Sequence, residues 1–516
     1  MFKITPAMSI YREDTEQNSS DRMIGQVCRD IAIILLIAVF IYLPFLGSLE
    51  WAGHEPLRIN ISKEIMGTDS WIKTTLHGQP YFIKPPLFNW LVASCGKLFG
   101  TINEWTSRLP SAAAMILTAL TVYFVSGQAL SRNGRFVAAL ATISMTGLIK
   151  KARTAEIDSL FVFFVTISLL VWIYAYRRKV RPMITWSIPL AILGIGFLTK
   201  GPHAVTFFYF TVFTYLLLKK DLKYFFSFAH ICGFILMLAV VAAYVLAVLQ
   251  HISWQEYAGM WIDQITSRAE GRKSHAFVKH FFDFPLNAVM SFMPWILLII
   301  PAFLSRKSKD IFRQLLSNDL IFFSIVMVAV NFPLYWLLPN AYVRYFLPAG
   351  PFIAIVLAGI AERYLAQRQQ TGTSSGLTIR RLSITVSLVV GICLHIYTAA
   401  IMYRETQDVN TPKKIAAEIG QVLPSDVNTL YEIGAARLLE DITCNLKMNI
   451  IQVDTFRDLE KIHAEGKAAY VMHDRDIFKA SGDAEKWEKV YARKVKYVQS
   501  GELIVSRLVP NPKAAR

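Results

Sequence analysis

IAIILLIAVFIYLPFLGSL, residues 31–49, runs for nineteen residues without a charge. A membrane-spanning helix needs about 20 mostly apolar residues, so this run reads as a span. Some thirty residues of mixed, charged sequence precede it, and no small-residue cleavage site follows. That pattern predicts an uncleaved first span and not a removed leader. Similar runs recur at roughly 108–128, 134–149, 158–176, 183–199, 203–218, 228–249, 284–304, 319–338, 345–363 and 382–402. The reading is a polytopic α-helical membrane protein of about 11–13 spans. PPLFNWLVASCGKLFG (85–100) is shorter and reads as an interfacial or re-entrant helix, with a further span as the alternative.

Composition agrees. The 516 residues are 54% hydrophobic, and the mean hydropathy is +0.39. A net charge of +17 would suit a nucleic-acid binder. The basic residues instead fall in short loops between apolar runs, where membrane topology explains them. Arg132 and Arg135, Arg177–Arg181, Lys219–Lys223, Arg306–Arg313 and Arg363–Arg381 all fall on the side of the N-terminal tail. The positive-inside rule makes that side cytoplasmic, with residues 1–30 as its tail. The first outer loop, 49–107, and everything after about residue 403 then face the other compartment. Five cysteines without CxxC spacing support neither a disulfide framework nor a zinc site.

Near Tyr403 the composition turns from apolar to mixed. KKIAAEIGQVL, ARLLEDI and FRDLEKIHAEG read as helices. NTLYEIG, MNIIQV and AAYVMHD read as strands, and the last part as a hairpin turning at Ser500–Gly501. Residues 404–516 therefore form a small soluble α/β domain after a membrane domain over 31–403, and it shows no catalytic cluster.

The outer side should be poor in Lys and Arg, yet Lys84, Lys150, Lys151, Arg153, Lys200, Arg268, Arg272, Lys273 and Arg344 sit at its membrane edge. Snorkelling explains any one of them. Together they suit an anionic headgroup such as a phosphate. The acids Glu55, Glu156 and Asp158 gather on the same side. Each also has a plainer reading: Asp158 as a helix N-cap, and Glu55, before Pro56, as a charge at a positive helix end. His54 and His203 read most simply as polar interfacial residues. This set suits sugar transfer from a lipid phosphate. Cations would stabilise the leaving phosphate, and a carboxylate would take the acceptor proton or orient the acceptor. No GxGxxG or P-loop is present to hold a nucleotide.

These residues also carry a resemblance. The His–Glu pair after the first span, KEIM, WI and PYFIKPPLFNW (80–90) resemble the first outer loop of the GT-C glycosyltransferases. The aminoarabinose–lipid A transferases and the protein O-mannosyltransferases are the most similar of these. ARTAEIDSLFVFF (152–164), GFLTKGP (196–202), the 267–295 stretch and RYFLP (344–348) extend the likeness over most of the membrane region. The resemblance implies a GT-C fold, a polyprenyl-phosphate sugar donor and inversion at the anomeric carbon. It places the first-loop acid on Glu55, because relatives often read Asp-Glu where this chain reads His54-Glu55. It places the second-loop acid on Asp158 and the donor phosphate on Tyr81, Lys84 and Arg268. His54, Glu156, Lys200, Arg272 and Arg344 are secondary candidates.

The expectation is an inner-membrane glycosyltransferase acting on the periplasmic face, with lipid A, another glycan or a protein as acceptor. No cofactor is expected; a divalent metal stays an alternative that no ligand spacing supports. The competing reading is a polyprenyl-lipid flippase or secondary transporter. No internal repeat supports it, and the ionisable residues gather at span ends and not at mid-membrane.

Overall fold

A computed structural model describes residues 7–270, 274–305, 307–338, 341–369, 376–434, 437–464, 469–476, 487–495 and 501–508. The first apolar run forms the end of helix α1 (Ala7–Tyr42). The outer loop folds into α2 (Glu55–Thr68), a two-residue ribbon β1–β2 (Thr75–Leu76 and Gln79–Pro80) and the short apolar α3 (Leu87–Phe99). Then follow α4 (Glu104–Ser126), α5 (Arg132–Ser144), α6 (Thr146–Ala152), α7 (Asp158–Arg177), α8 (Pro182–Lys200) and α9 (His203–Leu218).

Among the described residues, eight helices are long and apolar enough to cross a membrane. A ninth forms if Phe277–Ser291 and Trp295–Phe303, bent by 86°, count as one span. Two further expected spans fall short for local reasons. The 134–149 run is broken at Met145, whose extended backbone (ψ 131°) separates α5 from α6. The 203–218 run gives a helix of 16 residues.

Apolar runs facing lipid and apolar runs facing protein look alike in sequence, because lipid tails are as apolar as leucine. The packing separates them. Two thirds of the apolar windows of α7 and of Leu347–Gln367 are buried, against 22% for Phe228–Leu249. That outer helix lies on α8 through small residues: a Cβ on Gly233 would stand 3.0 Å from the Trp186 backbone. At the basic side one buried acid ties four helices. Asp30 accepts from Arg132 Nε (2.7 Å), Tyr123 Oη (2.9 Å) and Arg380 Nη2 (2.5 Å), joining α1, α4, α5 and Gly376–Gln407.

Beyond that last helix the α/β part forms as its sequence indicates. Strands β3 (Thr429–Ile433), β4 (Asn449–Gln452), β5 (Tyr470–Asp474), β6 (Trp487–Lys494) and β7 (Glu502–Leu508) make a sheet ordered β4-β3-β5-β7-β6. β3 pairs in parallel with β4 and β5, and β7 pairs antiparallel with β5 and β6. Strand alternation splits its core. Leu430, Met472 and Val505 face helix Pro412–Val422, while Tyr431, Val471 and Leu508 face helix Phe456–Ala464. Of the expected hairpin turn, Ser500 lies outside the described residues; Gly501 takes φ +70° and accepts from the Val495 amide (2.9 Å).

This domain docks on the outer loop. Asn60 of α2 donates to Thr443 Oγ1 (2.9 Å), His77 Nδ1 meets Glu432 Oε1 (2.6 Å), and the Gln452 amide donates to the His77 carbonyl (2.8 Å).

Candidate active site

Three chain segments meet at the outer end of α7. Asp158 is the first residue of that helix, and Ile157 holds the N-cap position without a side-chain bond. The N-cap reading of Asp158 is therefore corrected: its carboxylate turns to lysines. Lys200, the last residue of α8, reaches Asp158 Oδ1 at 2.5 Å, and Lys151 stands 3.4 Å from Oδ2. Lys151 also reaches Glu156 Oε2 (2.6 Å), which Arg344 approaches at 3.5 Å. Lys200 lies over the Tyr345 ring at 4.3 Å and the Phe161 ring at 4.7 Å. Aromatic faces are the partners a desolvated ammonium can use without surrendering its charge. Burial pushes the Glu156 carboxyl above the ordinary glutamate range; Lys151 pulls it back, and Asp158 pushes it up again.

Glu55 sits behind this cluster. Its carboxylate accepts from Arg108 Nε (2.8 Å) and Nη2 (2.9 Å), from the Ala155 amide (2.6 Å) and from the Ala52 amide (3.1 Å). That is a bidentate pair plus two backbone bonds, which satisfies a carboxylate's acceptor capacity. Arg108 also donates to the carbonyls of Leu46, Leu49 and Glu50. Arg153 donates to those of Ile41, Tyr42 and Pro44. Two guanidinium groups thus hold the outer end of the first span against the loop that carries Glu156 and Asp158. Burial, with Arg108 nearby, brings the Arg153 pKa down to about 10.

In front of the acids is a cavity of about 210 Å³. Its lining brings together His54, Tyr81, Lys84, Glu156, Asp158, Lys200 and Arg344 from the sequence candidates. A second cavity, of about 810 Å³, adjoins it and includes Glu55, Lys150, Lys151 and Ser291. His54, Glu156 and Arg344 line both and so form the partition. Arg268 belongs to helix Trp254–Glu270, but its side chain, like the whole of Arg272, lies outside the described residues.

Arg58 was not a sequence candidate. It is 5% exposed and lines the smaller cavity, and its Nη1 has no hydrogen-bond partner among the described residues. Nε of Arg344 is likewise buried and unpartnered. Arg58 follows His54 by four positions in WAGHEPLR, the spacing that puts two side chains on one helix face. That spacing was the available signal. Four cations, Arg58, Lys84, Lys200 and Arg344, thus face two carboxylates around the smaller cavity. A buried donor left unpaired costs stability, and a lining with more cations than carboxylates favours an anion. Among the described residues, no group of three or more His, Cys, Asp or Glu is placed to hold a metal ion.

Known proteins are similar to this chain. A family model described as dolichyl-phosphate-mannose-protein mannosyltransferase matches residues 83–247. The undecaprenyl phosphate-alpha-4-amino-4-deoxy-L-arabinose arabinosyl transferase of Edwardsiella ictaluri is 24% identical over 70% of this chain and 63% of its own length. That of Pseudomonas savastanoi pv. phaseolicola is 28% identical over 48% and 47%. An uncharacterized protein of Aquifex aeolicus is 25% identical over 63% and 62%. The chain thus spans between about half and just under two thirds of these relatives. In fold it is similar to ArnT from Cupriavidus metallidurans bound to undecaprenyl phosphate, with a TM-score of 0.70 at 16% identity over 94% of this chain and 98% of that one. The chain is a polytopic membrane protein of the GT-C fold that resembles the aminoarabinose–lipid A transferases and the protein O-mannosyltransferases.

Proposed function

We propose that the chain is a membrane glycosyltransferase that takes a sugar from a polyprenyl-phosphate donor on the side opposite its basic loops. In a bacterial inner membrane that side is the periplasm. The observation that carries this reading is the cation surplus of the smaller cavity, whose Arg58 and Arg344 each keep one buried nitrogen without a hydrogen-bond partner among the described residues. A sugar phosphate brings the missing acceptors.

In this reading Arg58, Lys84 and Tyr81 hold the donor phosphate, with Arg268 joining them by resemblance. The acceptor oxygen attacks the anomeric carbon from the side of the larger cavity, with inversion. The bond from that carbon to the phosphate oxygen breaks, and the polyprenyl phosphate leaves with one more negative charge. The surrounding cations stabilise that charge as it develops. Glu156 lines both cavities, and burial raises its proton affinity, so it takes the acceptor proton. Asp158, engaged by Lys151 and Lys200, fixes those cations. Glu55, with its acceptor capacity satisfied by Arg108 and two amides, positions the loop.

Purified protein should move a labelled sugar from a polyprenyl-phosphate donor to an envelope acceptor. Lys84→Ala should lower the rate about a hundredfold, and Glu156→Gln about 10²–10⁴-fold. A much smaller loss in Glu156→Gln would mark an acceptor that is already ionised, such as a phosphate. Full transfer by both variants would sink these roles, and lipid movement between leaflets without transfer would favour a transporter.

A further inference from the structure

A different cavity lies at the far end of the membrane region. Asp319 opens the span that follows helix Ser308–Leu316, and it pairs with Lys219 (2.5 Å) and with Arg177 (3.8 Å), the last residue of α7. α7 starts at Asp158, so helix Ser308–Leu316 sits at the opposite membrane boundary from the catalytic cavity, on the basic side. The helix is amphipathic. Ile311 and Leu315 are buried, Phe312 packs on the core, and Lys309 and Arg313 are exposed one turn apart. Between it and helix Ile299–Phe303 is a space of about 570 Å³, lined by Phe303, Phe312 and Leu316 together with Lys309 and Arg313. Phe303 and Leu304 beside it are 70% and 77% exposed.

Asp319 is occupied by Lys219 and Arg177, and among the described residues no ion pair involves Lys309 or Arg313. Lys307, Lys309 and Arg313 outweigh Asp310, the acid of this helix. Two cations over an exposed aromatic and aliphatic rim match a ligand with an anionic head and apolar tails.

We infer that this cavity binds an anionic phospholipid of the basic-side leaflet. Its phosphate sits on Lys309 and Arg313, and its acyl chains lie along Phe303, Leu304 and Leu316. A soluble anion would leave that rim in water, whereas a lipid covers it. The site is separate from the catalytic cavity and does not depend on what is transferred there.

The test is retention of phosphatidylglycerol by the full-length protein, extracted from vesicles of phosphatidylglycerol and phosphatidylcholine and weighed by native mass spectrometry. The wild type should keep phosphatidylglycerol selectively, and Lys309→Gln/Arg313→Gln should keep it on the order of tenfold less. Lys220→Gln/Lys223→Gln, on the same side but outside the lining of the cavity, should match the wild type. Equal retention by all three proteins would overturn the proposal. So would equal loss in both double variants, which marks general surface attraction, or displacement of the lipid by millimolar inorganic phosphate.

Discussion

The two ends of the membrane region bury acids against cations to opposite effect. At the basic side Asp30 is fully enclosed, and Arg132, Arg380 and Tyr123 take up its oxygens. At the outer side Glu156 and Asp158 are also buried and paired, but four cations line the cavity with them, and Arg58 and Arg344 each keep one buried nitrogen without a hydrogen-bond partner among the described residues. The first cluster is a joint between four helices, complete in itself. In the proposed reading the donor phosphate completes the second. Buried charge alone therefore does not mark a site; unmet hydrogen-bonding capacity beside a cavity does.

The largest effect should separate the two ends. Asp30→Asn removes the charge that holds two arginines, and breaking a buried pair costs roughly 3–5 kcal/mol. Its melting temperature in detergent should fall steeply, while transfer per folded molecule stays near wild type. Arg58→Gln should do the reverse: transfer falls about a hundredfold, while the melting temperature holds or rises because a buried guanidinium nitrogen without a partner among the described residues is gone. An Asp30→Asn protein that stays stable but loses transfer would break the comparison.

Glu55 stands between the two kinds. Glu55→Gln leaves Arg108 charged and half satisfied, so stability should drop by about 2–3 kcal/mol and transfer should weaken through the displaced 153–157 loop. Adding Arg108→Met should recover part of the stability but none of the transfer. Full recovery of both would show that the pair positions nothing.

The smallest effect concerns pH. Glu156 accepts a proton only when ionised, so transfer should fall as pH drops through its raised pKa, at higher pH than for an ordinary glutamate. Lys151 favours the ionised form. Lys151→Met should therefore move this acid limb to still higher pH, read from the rate profile. An unmoved limb would remove Glu156 from the proton's path.

Much of this was legible in the chain. Apolar runs gave the helices because membrane spans declare themselves by length, and the α/β elements followed from their periodicity. Lys84, Glu156, Asp158, Lys200 and Arg344 could be grouped because each stands at a span end on one side. What escaped depended on three dimensions. Glu55 and Arg108 lie 53 positions apart, and neither announces the other. The break at Met145 falls inside an uncharged run, 136–149. Arg58 was readable from its spacing to His54, but it looked like an ordinary positive residue leaving a helix start.

The grip of Arg108 and Arg153 on the first span has a consequence for how the chain can vary. Six carbonyls between Ile41 and Glu50 are each claimed by a guanidinium nitrogen. Side chains in YLPFLGSLE can change without touching those bonds. Adding or removing one residue cannot, since every later carbonyl would present itself out of step. In this stretch the count of residues is constrained more tightly than their identity. A library of insertions there should be far more damaging than a library of substitutions.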